Sequence, residues 1–93
     1  MFRVVYHPEA RDEIRALPAF HRTRILDAIE VHLFRDPRPA APRKKLLLHL
    51  NGIAIYQLRV GEYRVFYTFE EALRIVAVRH VRRKGRKTTG EIL

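Results

Sequence analysis

The chain has 93 residues, 47% of them hydrophobic, no cysteine, and a formal net charge of +9 at pH 7. That length supports one domain with one compact core, and no apolar run approaches the ~20 residues needed to span a bilayer. Without cysteine there is no disulfide, no thiol nucleophile and no Cys-based zinc site, and the histidines at 7, 21, 32, 49 and 80 lack close metal-ligand spacing.

In chain order, Phe2 to Tyr6 is a short apolar run that predicts a first strand, broken at His7-Pro8. The same segment lacks the apolar stretch and cleavage site of a signal peptide, so a cytoplasmic protein is expected. Pro8 suits the first position of a helix, and Glu9, Asp12 and Glu13 place negative charge at its N-terminus. Ala10, Ile14 and Leu17 recur at helical spacing until Pro18. A second helix is predicted from about Phe20 to Phe34, with Ile25, Ala28, Ile29 and Leu33 inward, ending at Asp36-Pro37. A proline-rich connector then leads to Arg43-Lys44-Lys45. Leu46 to Leu50 reads either as a buried strand or as a segment packed on the core before Asn51-Gly52 turns the chain. Three strands follow: Ile53–Val60, Tyr63–Phe69 and Leu73–Val81. The tail is dominated by Arg82, Arg83, Lys84, Arg86 and Lys87. The order β-α-α-β-β-β predicts an α+β fold over residues 1–93, two helices on one face of a small, mainly antiparallel sheet. The basic tail covers about residues 82–93.

Charge divides the chain. Residues 1–42 carry seven Lys/Arg against six Asp/Glu, a balance of +1, whereas residues 43–93 carry twelve against four, a balance of +8. The second half is a cationic field of the kind that attracts polyanions, chiefly nucleic acid. The plainer reading of the tail is a solvated charge run.

The hairpin at Gly61-Glu62 gives the sharpest local expectation. Glycine at the first position of a two-residue loop suits a type II′ turn, which pairs Val60 with Tyr63 and sets Arg59 opposite Arg64. Like charges opposed across a ladder repel, so such a pair suggests a face that meets an anion; the plainer reading is a polar face that keeps the sheet soluble. Strand alternation puts Gln57, Arg59, Arg64, Phe66 and Thr68 on one side. Tyr56, Leu58, Val60, Tyr63, Val65, Tyr67 and Phe69 fall on the other, under the helices. A turn through Glu71-Ala72 would set Arg79 opposite Arg64 and direct His80 toward the helices.

These segments resemble the RelE/ParE superfamily of toxins from type II toxin–antitoxin pairs. Phe2-Arg-Val-Val-Tyr-His-Pro-Glu-Ala10 is similar to that family's first strand and helix start. Leu58-Arg-Val-Gly-Glu-Tyr-Arg-Val-Phe-Tyr67 is similar to its signature hairpin, and Val78-Arg-His-Val-Arg-Arg83 to its last strand. The resemblance implies an mRNA endonuclease of the RelE-like branch, acting on the ribosome through the substrate's own 2′-hydroxyl, with no metal or other cofactor. It also implies an acidic antitoxin as partner, operator DNA met only through the antitoxin complex, and no membrane. Arg64 matches the arginine of the Gly-x-Tyr-Arg motif, Arg59 and Gln57 fall where that branch often carries basic residues, and Arg83 falls near the arginine after the last strand.

Arg59, Arg64 and Arg83 are thus the expected catalytic groups. Lys44, Lys45, Gln57, Arg79, Arg82, Lys84, Arg86 and Lys87 are expected to bind nucleic acid. Two departures stand out: Gln57 is uncharged, and Arg86, Lys87, Thr88 and Thr89 stand where some members carry a tyrosine. Arginine is too basic to give up protons readily. Charge stabilisation by the arginines is therefore better supported by the residues than any acid or base. Two other outcomes remain open on the sequence: a ParE-like DNA gyrase inhibitor, or an inactive homologue that only binds antitoxin and operator DNA.

Overall fold

The computed structural model describes residues 1–84; Arg86 and Lys87, with the possible capping turn at 88–91, lie outside the described residues. The chain runs β1 (Arg3–Tyr6), α1 (Pro8–Arg15), α2 (Ala19–Ile29), a π-helical turn (Glu30–Phe34), β2 (Lys44–Leu50), β3 (Ile53–Val60), β4 (Tyr63–Glu70) and β5 (Ile75–Arg83). The fold is α+β, with one strand before the two helices and four after them. The ambiguous stretch after the connector is a strand, which extends the expected order by one element.

Local chemistry explains the helix boundaries. Pro8 opens α1 with Glu9 in its first turn. Pro18, extended at φ −55° and ψ 147°, separates α1 from α2. The inward residues of the second helix, Ile25, Ile29 and Leu33, are spaced by four and fully or almost fully buried. The last five residues of the expected helix widen into the π turn.

The sheet order is β1-β5-β4-β3-β2. β1 runs parallel to β5 (Val4 beside Val76, Tyr6 beside Val78), and the other neighbours are antiparallel. The main core joins Ala10, Ile14, Ile25, Ile29 and Leu33 of the helices to Leu58, Val60, Val65, Tyr67, Val76, Val78 and Val81 of the sheet. Each fully buried aliphatic side chain of this kind contributes about 1.5–3 kcal/mol. Tyr67, buried at the centre, donates its hydroxyl to the Pro37 carbonyl at 2.7 Å. Burial pushes its phenol well above the usual tyrosine range, so it stays neutral and acts as a fixed donor. Among the described residues, no helix is long and apolar enough to cross a membrane.

Candidate nucleic-acid interface

The hairpin between β3 and β4 has the expected register: Val60 pairs with Tyr63 and Arg59 with Arg64. Gly61 has φ +58°, the sign required at the first loop position of a type II′ turn and readily available only to glycine. A Cβ at Gly61 would also come within 3.1 Å of Arg24 Nη2 on α2.

The next register differs from the sequence expectation. The β4–β5 loop spans four residues rather than two, so Glu70 pairs with Ile75, and a bulge then separates Tyr67–Val78 from Phe66–His80. Arg79 is the extra residue of that bulge and does not oppose Arg64. Arg82 does. The same shift moves His80 opposite Phe66 and off the helix-facing side, while Val81 stays in the core opposite Val65. A bulge changes strand parity without leaving a clear mark in the sequence.

Two lateral rows therefore cross the helix-free face. In the first, Arg59, Arg64 and Arg82 stand side by side. Arg43 continues this row, because its carbonyl accepts the Arg59 N–H at 2.9 Å. In the second, Lys45, Gln57, Phe66 and His80 are aligned. Arg64 of the first row, with Gly61, Glu62, Arg83 and Lys84, lines a surface cleft of about 370 Å³ at the hairpin end of the sheet. Arg43 was missed from sequence because the start of β2 was ambiguous; the run Arg43-Lys44-Lys45 was its only trace.

Each arginine in this region is held differently. Arg64 donates from Nη1 to the carbonyls of Gly61 (2.8 Å) and Tyr63 (2.9 Å). Burial, and then the neighbouring Arg59 charge, lower its pKa. Among the described residues no carboxylate pairs with Arg59 or Arg64. Arg83 pairs with Glu62 at 2.7 Å, and both are exposed. Arg82 bonds the carboxylate of Glu13 on α1. Gln57 is only 6% exposed, and its Oε1 has no hydrogen-bond partner among the described residues. An unmet buried acceptor costs about 1–3 kcal/mol, which a donor on a ligand would relieve.

Lys44 does not share this face. It stands opposite Leu58, on the core side, is 9% exposed, and donates its ammonium to the carbonyls of His32 and Asp36 at the end of the π turn. Those carbonyls lack helical partners at a helix C-terminus, and a cation is favoured there. Lys44→Ala should lower stability by about 1–3 kcal/mol in urea denaturation, while the folded fraction keeps full function. An intact midpoint with lost function would instead make Lys44 a ligand-binding group.

Known proteins resemble this chain in both sequence and fold. Residues 4–85 match the family described as the ParE toxin of type II toxin–antitoxin systems. No curated protein matches in sequence. Among solved structures, the archaeal RelE–RelB complex from Pyrococcus horikoshii is similar at TM-score 0.76 and 24% identity, covering 92% of this chain and 98% of that one. The isolated E. coli RelE toxin is similar at TM-score 0.70 and 21% identity, covering 99% and 94%. A chain of the toxin–antitoxin complex RelBE2 from Mycobacterium tuberculosis is similar at TM-score 0.71 and 19% identity, covering 88% and 96%. These structural likenesses establish the shared fold.

Proposed function

The chain belongs to the RelE/ParE superfamily of type II toxins, and from that premise we propose that it is a ribosome-dependent mRNA endonuclease. The observation that carries this reading is the row Arg43, Arg59, Arg64 and Arg82 on the sheet face without helices. Four guanidinium groups aligned across adjacent strands suit an RNA backbone, since arginine binds phosphate oxygens bidentately.

In the cleavage step, the substrate's 2′-hydroxyl oxygen attacks the adjacent phosphorus and the bond to the 5′-oxygen breaks. This leaves a 2′,3′-cyclic phosphate and a 5′-hydroxyl end. Arg59 and Arg64 offset the charge that grows on the phosphoryl oxygens. Arg83, tied to Glu62 at the hairpin turn, flanks the same cleft and becomes available to phosphate when that exposed ion pair exchanges. Lys45, Arg79 and Lys84, with Arg86 and Lys87 of the tail, supply diffuse attraction.

An acidic antitoxin fits as partner in the cytoplasm, with operator DNA reached only through that complex. β2 is the outer strand of the sheet and exposes Leu46 on its helix-facing side and Leu50 on the side of the basic face. An acidic chain lying along this edge would bury the apolar side chains and neutralise the arginines.

Mapping of cellular RNA ends after induction tests the proposal: cuts inside translated codons are expected within minutes. The ParE description of the matched family favours a second reading, inhibition of DNA gyrase. Loss of plasmid supercoiling or DNA breaks, without mRNA cuts, would establish that instead. Harmless expression with neither signal would mark the chain as a binding module for antitoxin and operator.

A further inference from the structure

The tip of the β3–β4 hairpin meets the start of α2, where Phe20, His21 and Arg24 stand outside the arginine row. Arg24 lays its guanidinium against Gly61: a Cβ on that glycine would stand 3.1 Å from Nη2 and 3.7 Å from Cζ. From the helix-free side of the same turn, Arg64 donates to the Gly61 carbonyl at 2.8 Å. One glycine is thus flanked by two guanidinium groups, and among the described residues neither pairs with a carboxylate. Phe20, one helical turn before Arg24, is 70% exposed. Its ring stands steeply to that of His21, at 5.9 Å between centroids. His21 in turn meets the Tyr63 ring almost at right angles, at 5.4 Å, and shares a 2.7 Å hydrogen bond with the Tyr63 hydroxyl through Nδ1. Tyr63 belongs to the buried core, so the exposed ring is braced from the sheet.

We propose that Phe20 and Arg24 form a second RNA subsite, in which an unpaired base of the messenger stacks on the Phe20 ring and a neighbouring phosphate lies on Arg24; the inference rests on the endonuclease reading above. An exposed aromatic ring beside an arginine is the combination that holds single-stranded nucleic acid without regard to sequence, because every base has a π-face and every link a phosphate. A single exposed phenylalanine is ordinary on a protein surface. Here the ring is held from the core and set one turn from a cation that no carboxylate neutralises. Gly61 joins the two sites, since it touches Arg24 and also lines the cleft that holds Arg64. A strand that leaves the arginine row over the hairpin turn therefore meets Arg24 next.

The subsite makes no bond and moves no proton. It holds the messenger at a point removed from the reacting phosphate, so it stabilises the bound substrate and the transition state alike. Binding of that kind lowers KM and leaves kcat unchanged. Because the ring is already braced by His21 and Tyr63, little ordering cost is left for the moment of stacking. Duplex RNA, whose bases are stacked on one another, gains nothing from the ring. The continuity with the cleft at Gly61 assigns the base to the messenger rather than to ribosomal RNA.

The test measures cleavage by the full-length protein on ribosomes programmed with mRNA. Phe20→Ala should raise KM roughly 5- to 100-fold, the effect of removing one stacked base, with kcat and melting temperature close to wild type. Phe20→Trp should bind at least as tightly as wild type. Phe20→Leu is apolar but has no π-face and should behave as the alanine variant does; a leucine variant with wild-type KM would overturn the stacking role. Arg24→Ala should raise KM as well, and should flatten the dependence of log KM on log salt by about 0.7, the single-strand value for one phosphate contact. Abasic nucleotides placed in turn on either side of the cut should reveal one position where wild type loses the same factor and Phe20→Ala loses nothing more. A Phe20→Ala defect with no such position would hand the base to ribosomal RNA and overturn its assignment to the messenger. Unchanged KM in both alanine variants would overturn the subsite while leaving the endonuclease reading standing, whereas a wild-type protein that cuts no RNA would overturn both.

Discussion

Arg64→Ala is expected to abolish growth arrest and to slow RNA cleavage about 10²–10³-fold, the usual consequence of removing one preorganised charge donor from a reacting centre. The structure explains why this residue should dominate its row. Its Nη1 is anchored on the Gly61 and Tyr63 carbonyls of the hairpin turn, so the guanidinium needs little reorganisation to meet a phosphate. Burial and the adjacent Arg59 both disfavour its charged form.

A base whose folded-state pKa is lowered is charged at some expense to the fold, and the expense applies wherever the group is protonated, which for arginine includes pH 7. A bound anion removes that penalty. The alanine variant escapes it too but gives up two hydrogen bonds, so the melting temperature should move by only a few degrees. Arg64→Lys keeps the charge and loses the planar fork, and should retain intermediate activity. Cleavage assays on ribosomes, paired with thermal denaturation of the same preparations, check the result. A fully toxic Arg64→Ala protein would remove Arg64 from the site.

The Arg59–Arg64 pair was legible in sequence because a two-residue turn fixes register within a few residues, leaving no room for slippage. The core face was legible for the same reason: Leu58, Val60, Val65 and Tyr67 alternate cleanly from that turn. Beyond Phe66 the information runs out. The loop from Glu71 to Arg74 reads as well with two residues as with four, and the bulge at Arg79 reverses the facing of His80 and Arg82. Those are the residues that meet Glu13 of α1, a contact across 67 positions of sequence from Glu13 to His80. Lys44 and Lys45 show the same limit at smaller scale. They are neighbours of equal charge, yet register turns one under a helix end and leaves the other beside Gln57. Composition could locate the cationic half of the chain but could not say which cations hold the fold.

The helix-free face is also more than a polar surface, and this leads to the largest expected effect on stability. Phe66 is fully buried there, in a second apolar cluster with Ile55 against which Leu47 and Leu48 pack. Phe66→Ala should destabilise the protein by about 3–5 kcal/mol, as phenylalanine truncations in cores do. For a domain that resists unfolding by about 5–15 kcal/mol, much of the margin would go. At about 4–8 °C per kcal/mol for this size, the melting temperature should fall by well over 10 °C.

Were this face merely a solvated rim, the change would stay within about 0.5 kcal/mol, and a urea midpoint close to wild type would show that. The ring stands between Gln57 and His80 in its row, with the opposed arginines in the next. The apolar cluster thus supplies the stiffness that lets like charges be held together without a carboxylate between them. Phe66→Leu, which keeps most of the volume, should retain the fold while loosening the row. It should therefore lose cleavage in greater proportion than stability, and equal losses of both would mean that the ring serves the fold alone.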